Sequence, residues 1–140
     1  MALHRVSLSG KLITALPVAM VITLMVTRGQ GPWTPMRLVG LLLILVGLGA
    51  LTLARIQFEK ESFGQSGLVT RGIYSHIRHP IYLFSSMAFV GLLLYLNELL
   101  GVLLLLPVEL ILFHVARREE QELERLYGDQ YRRYKQQTWF

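Results

Sequence analysis

Two polar segments carry most of the side chains that could do chemistry. The first, Phe58 to Tyr82, reads FEKESFGQSGLVTRGIYSHIRHPIY and ends in mixed cations and aromatics: Arg71, Tyr74, His76, Arg78, His79 and Tyr82. Such a set can hold a ligand, and it equally suits an interfacial loop against anionic lipid headgroups. The second segment, Glu109 to Tyr134, supplies carboxylates and spaced tyrosines. The chain has no cysteine, which excludes a disulfide framework, a thiolate nucleophile, a Cys-ligated zinc and an iron–sulfur cluster. His76 and His79 stand three residues apart just before Pro80, where backbone is biased away from helix. No third ligand is near them in sequence, so no metal site is expected.

Glu109 lies inside an apolar run, where an ionised carboxylate is costly and a functional candidate by default. At about 100° per residue, Glu109, Phe113, Ala116, Glu120 and Tyr127 share one helical face, with Glu119 about 100° away. A helix is expected to run to Tyr127 and stop at Gly128, a favourable residue just past a helix end. The face could bound a polar groove, or Glu109 could simply pair with a cation of another span. Glu122 and Glu124 read as a solvated face with Arg117, Arg118 and Arg125.

The elements that must position these groups are apolar. Of the 140 residues 53% are hydrophobic and 16% charged, with a mean hydropathy of +0.46, whereas a soluble domain carries about a quarter charged residues. This excludes an ordinary soluble enzyme and a disordered tail, and the length allows one domain. Four runs qualify as spans: 12–26, 38–54, 81–96 and 99–116. They sit at or below the short end of the range of about 17–25 residues that a bilayer core requires. The first could be a cleavable signal peptide, but Thr27-Arg28-Gly29-Gln30 is a poor cleavage site, so it is read as a span.

Charge placement orients them. With both termini cytoplasmic, 12 Lys and Arg residues lie inside and 2 outside, as the positive-inside rule asks. The net charge of +5 is therefore an orientation signal, and no nucleic-acid partner is expected; 11 of the 23 charged residues fall between Arg117 and Lys135. The third and fourth spans are joined only by Asn97-Glu98, so they form an antiparallel hairpin. The hairpin brings the cytoplasmic segments 58–80 and 117–140 together. Gly47, Ala50 and Ala54 would permit close helix approach by the second span.

LVTRGIYSHIRHPIY (Leu68 to Tyr82), a membrane hairpin and EEQELERLYGDQYRRY (Glu119 to Tyr134) resemble the integral-membrane methyltransferases. That group includes isoprenylcysteine carboxyl methyltransferases and phospholipid N-methyltransferases. The shared pattern is a G-x-Y-x-x-x-R-H-P-x-Y block and, after the hairpin, a Glu-Glu pair, a glycine and spaced tyrosines.

The resemblance implies an all-α membrane protein of about four transmembrane helices with S-adenosylmethionine as methyl donor. Its cofactor pocket would be cytoplasmic, formed by the loop before the third helix and the extension of the fourth. Val69, Gly72, Tyr74, Arg78, His79, Pro80 and Tyr82 would line it from one side. Glu119, Glu120, Leu123, Tyr127, Tyr131 and Tyr134 would close it from the other. Arg78 could hold the cofactor carboxylate, while carboxylates and aromatic faces suit the sulfonium and the amino group.

Catalytic roles would fall to Glu120, His79 and Glu109. His79 is the better ring contact or hydrogen-bond partner than base, and Glu109 belongs to the acceptor side. The acceptor would be lipophilic: an isoprenylcysteine-type carboxylate or related molecule first, a phospholipid amine as the alternative. An NADPH-dependent membrane reductase and a non-enzymatic membrane partner are further alternatives. The expected setting is a bacterial inner membrane or its equivalent, with membrane lipids as neighbours.

Overall fold

In a computed structural model of the chain, the structure describes residues 19–64 and 67–140, with side chains outside 62–66. Residues 12–18 of the first expected span lie outside the described residues. The described elements are α1 (Ala19–Arg28), α2 (Pro35–Gly64), a one-turn 3-10 helix (Gly72–Ser75), α3 (Pro80–Tyr95), α4 (Leu99–Tyr127) and α5 (Asp129–Gln137). Among the described residues there is no strand; one isolated parallel bridge joins Ile77 and Trp139.

Two of these helices, over Pro35–Glu61 and Leu99–Tyr127, are long and apolar enough to cross a membrane, while α1 and α3 are shorter apolar helices. At 1.5 Å per residue, α3 spans about 24 Å and α4 about 43 Å.

The second apolar run extends further than the sequence suggested. Its helix continues through Arg55 to Gly64, into the polar segment that begins at Phe58. Side chains one turn apart explain the extension. Arg55 Nε donates to Glu59 Oε1 at 3.2 Å and Gln57 Nε2 donates to Glu61 Oε1 at 3.1 Å, the spacing at which such pairs support a helix.

Helices α2 and α3 pack backbone to backbone. A Cβ on Gly40 would stand 2.5 Å from Tyr95 N, and one on Gly47 would stand 2.9 Å from Ala88 N. Small residues thus let the axes approach, as expected for Gly47 and for Ala54, which is fully buried. At the far end of this seam Val21, Ile44, Leu92 and Tyr95 form a buried cluster. Arg37 caps it, donating to the carbonyls of Gly29, Gln30 and Gly31.

Helices α3 and α4 form the expected antiparallel hairpin. Asn97 turns the chain in the left-handed conformation, with φ of 60°, which asparagine tolerates well. Ser86 and Glu109, 11 and 12 residues from Asn97, meet across the hairpin, and Tyr82, nearer the start of α3, meets Glu119. Helix α4 is continuous past the apolar run to Tyr127 and ends at Gly128, with φ of 51°, also as expected.

Helix α5 then carries the chain back. Tyr134 Oη donates to the Tyr74 carbonyl at 2.6 Å. Trp139 N–H donates to the His76 carbonyl at 2.7 Å, and the N–H groups of Arg78 and His79 donate to the Phe140 carbonyl at 2.7 and 3.1 Å. The segment 138–140 is thereby strapped along the loop that precedes α3.

Candidate functional site

Glu120 is the hub of the polar site. It projects from the part of α4 beyond the apolar run and meets cations from two other elements. Arg78 Nε donates to its Oε1 at 2.8 Å, and Lys135 Nζ of α5 lies 2.8 Å from its Oε2. His79 Nε2 is 3.4 Å from the same Oε1 but lacks hydrogen-bond geometry and has no partner. Burial would raise the Glu120 pKa, but hydrogen bonds from Lys135 and Arg78 outweigh it and hold the carboxyl below its ordinary range. Burial pushes His79 the other way, below its ordinary value, against the pull of Glu119 and Glu120. The site therefore contains an ionised carboxylate, two cations and a neutral imidazole.

Local backbone explains how the loop residues reach this point. His79 precedes Pro80 and is non-helical, with φ of −122° and ψ of 58°, as the proline requires. Pro80 opens α3 at the position where its missing N–H is harmless. Upstream, Gly72 has φ of +57° and lies against the Gln57 side chain, whose Oε1 accepts the Ile73 N–H at 3.1 Å. Gln57 thus fixes the loop to α2.

Two cavities adjoin along one face of α4. A polar one of about 270 Å³ is lined by Arg78, His79, Glu120, Glu124, Lys135 and Arg117, with Ala116 and Gln121 completing the α4 side. An apolar one of about 460 Å³ is lined by Tyr82, Leu83, Ser86, Leu106, Glu109, Leu110 and Leu112. Phe113 and Phe140 border both. Within the apolar cavity Ser86 Oγ donates to Glu109 Oε2 at 2.8 Å.

The expected face of α4 is thus present in its main part. Phe113, Ala116 and Glu120 line the polar cavity and Glu109 with Phe113 the apolar one, while Tyr127 lines neither. Of the residues expected at the cofactor, Arg78, His79 and Glu120 line the polar cavity and Tyr82 the apolar one. Glu119 is half exposed; it accepts from Tyr82 Oη at 3.2 Å and lies 3.8 Å from His79 Nδ1.

Tyr74, Tyr131, Tyr134 and Pro80 are buried. Burial raises the phenols of Tyr74 and Tyr131 strongly, and pushes Tyr134 up to about 12, so all three stay neutral. The hydroxyls of Tyr74 and Tyr131 have no hydrogen-bond partner. Val69, Gly72 and Leu123 line neither of the two cavities. Arg78 is largely engaged within the chain. Beside Glu120, its Nη1 donates to the carbonyls of Lys135 at 3.1 Å and Thr138 at 2.7 Å.

Glu122 is exposed, as expected for a solvated face. Glu124 departs from that expectation: it borders the polar cavity and accepts from Arg132 Nε at 2.8 Å. The turn at Gly128 folds α5 back beside the end of α4, which brings Arg132 within reach.

A family model described as phospholipid methyltransferase matches residues 35–130. The chain belongs to that family. No curated protein and no solved structure gives a match. The matched stretch begins at α2 and contains the loop before α3, the hairpin and the Glu119-Glu120 pair. This phospholipid methyltransferase family member thus carries its family's methyltransferase region from α2 to the start of α5. Lys135, the strap and α1 lie outside that stretch.

Proposed function

We propose that this protein transfers the methyl group of S-adenosylmethionine to the amine of a membrane lipid. The observation that supports this most is the single face of α4 that opens onto a polar, two-signed cavity at Glu120 and an apolar cavity at Glu109. Such a face suits a water-soluble donor at one end and a lipophilic acceptor at the other.

The polar residues fit the donor. Arg117 and Lys135 suit its carboxylate, and Glu120 and Glu124 its amino group. The unpartnered His79 Nε2, on the cavity wall, has hydrogen-bonding capacity to give, and the buried Tyr131 stands behind the lining. Glu119, Tyr82 and the aromatic rings of Phe113 and Phe140 supply the negative charge and π faces that favour a sulfonium. Val69, Gly72, Tyr74, Pro80, Leu123, Tyr127 and Tyr134 form the frame of this reading. The bound donor supplies an electrophilic methyl carbon on a sulfur that departs as a neutral thioether, so no acid has to assist. What the chain supplies is alignment and exclusion of water.

Glu109 selects the acceptor. A carboxylate among leucines attracts an ammonium and repels another carboxylate. It can also take up the ammonium proton, which frees the lone pair that attacks. The isoprenylcysteine-type carboxylate therefore ranks second, and the sequence has no glycine-rich dinucleotide loop for a reductase. In this reading four helices cross the membrane, both termini are cytoplasmic, and the donor cavity faces the cytoplasm.

The test is a labelled-methyl assay with purified protein in vesicles of phosphatidylethanolamine, and separately with a prenylcysteine analogue. Label should enter the phospholipid, and Glu109→Gln should lower that turnover at least tenfold. Label in the prenylcysteine alone would overturn the amine assignment.

A further inference from the structure

Phe140 occupies an unusual place: it borders both cavities, yet it comes from neither hairpin helix. Its ring faces that of Phe113, with centroids 6.2 Å apart and planes within 5°. It also meets the His79 imidazole edge-on at 5.8 Å. One wall of the partition between the cavities is thus fixed on α4, and the other hangs on the strap.

The strap is held at its backbone. Besides the N–H groups of Arg78 and His79 on the Phe140 carbonyl, Arg78 Nη1 donates to the Thr138 carbonyl at 2.7 Å. The same guanidinium is tied to Glu120 through Nε. One arginine therefore connects the charged floor of the polar cavity to the segment that carries the partition.

We propose that Phe140 is the specificity-determining residue of this site: with Phe113 it sets the width of the opening between the two cavities, and so the bulk of the amine that reaches the donor's methyl. The inference rests on the functional reading above. The stacked rings leave no passage between them, but an unsubstituted headgroup amine is slim enough to pass beside their edges. A chain added at the nitrogen competes with the Phe140 ring for the same space. Leu106 and Leu110 line the space below, where acyl chains would lie, so the restriction acts on the headgroup alone.

The experiment compares methyl transfer to phosphatidylethanolamine and to its N-butyl derivative, in vesicles, by the wild type, Phe140→Ala and Phe140→Trp. The wild type should favour the unsubstituted lipid by at least tenfold. Phe140→Ala should reduce that preference to threefold or less, chiefly through a lower KM for the N-butyl lipid. Phe140→Trp should increase the preference. If Phe140→Ala unfolds, as its thermal transition would show, Phe140→Trp alone decides by the direction of the change. A preference that is the same in all folded variants would overturn the inference while leaving methyl transfer intact. No transfer by the wild type to either lipid would overturn the functional reading and this inference with it.

Discussion

At the residue scale Glu120 and His79 dominate the polar site. Glu120 satisfies Arg78 and Lys135 at 2.8 Å each, and removing its charge leaves the half-buried Arg78 guanidinium without its carboxylate. Glu120→Gln should therefore loosen α5 and the strap. Limited trypsin digestion should then cut after Arg132, Arg133 or Lys135 sooner than in the wild type.

His79 gives a pH dependence. Its pKa lies below the ordinary 6.5, so the folded state disfavours the imidazolium. The stabilisation is fully present above about 6.5 and is lost as the pH falls through the lowered value. Glu120, also lowered, has the same sign at more acid pH. The thermal transition should hold steady above pH 7 and fall from about pH 6.5 downward, and His79→Gln should remove the first part of that fall.

These residues were legible in unequal measure. Arg78, His79 and Glu120 are visible because polar residues bordering apolar runs stand out and fall into a recognisable pattern. Ser86 could have been paired with Glu109 by counting back from the turn at Asn97, since helices leaving a tight turn keep step. Nothing in the sequence signals Phe140. A phenylalanine outside any periodic element acquires its place only when α5 folds back, and that fold depends on long-range bonds such as Tyr134 to Tyr74.

At the scale of elements, the seam between α2 and α3 positions the loop that carries Arg78 and His79. A Cβ on Gly91 would stand 2.8 Å from both Gly40 O and Ile44 N. Neighbouring backbone cannot swing aside as a side chain can, so Gly91→Val must separate the helices. Overpacking of this kind costs about 1–3 kcal/mol. Gly49 has nothing within 4 Å of its Cβ position, so Gly49→Ala should be neutral or stabilising by up to about 1 kcal/mol through helix propensity. Thermal unfolding in detergent should rank the two variants on opposite sides of the wild type. The polar end of α2 is hard to read from sequence because Gly64 and Gly67 favour a break, whereas the one-turn pairs of Arg55 with Glu59 and Gln57 with Glu61 carry the helix past the apolar run.

At the scale of the whole molecule, the apolar run of α4, residues 99–116, is apolar on nearly every side and little of it is covered. A helix of that kind fits a bilayer, which needs no polar face. The proposed topology places 12 Lys and Arg on one side and 2 on the other, as the positive-inside rule asks. The absence of cysteine makes orientation simple to measure, because any introduced thiol is unique. A membrane-impermeant maleimide applied from outside should label Gln30→Cys in intact cells and should reach Gln136→Cys only after the membrane is opened. Both side chains are exposed, so labelling of the two from the same side would overturn the topology. The all-helical class, the hairpin and the end of α4 are readable because period, length and Gly128 agree; the adjoining cavities are not, because they arise from packing among three elements distant in sequence.

The central claim is that the polar cavity around Glu120 holds the methyl donor. Isothermal titration of the purified protein in detergent with S-adenosylmethionine measures this most directly, with NADPH as the comparison. Saturable binding of one S-adenosylmethionine per chain is expected, at least tenfold weaker (about 1.4 kcal/mol) in Glu120→Ala, with no binding of NADPH. Absence of binding by the wild type, or equal binding by Glu120→Ala, would contradict it.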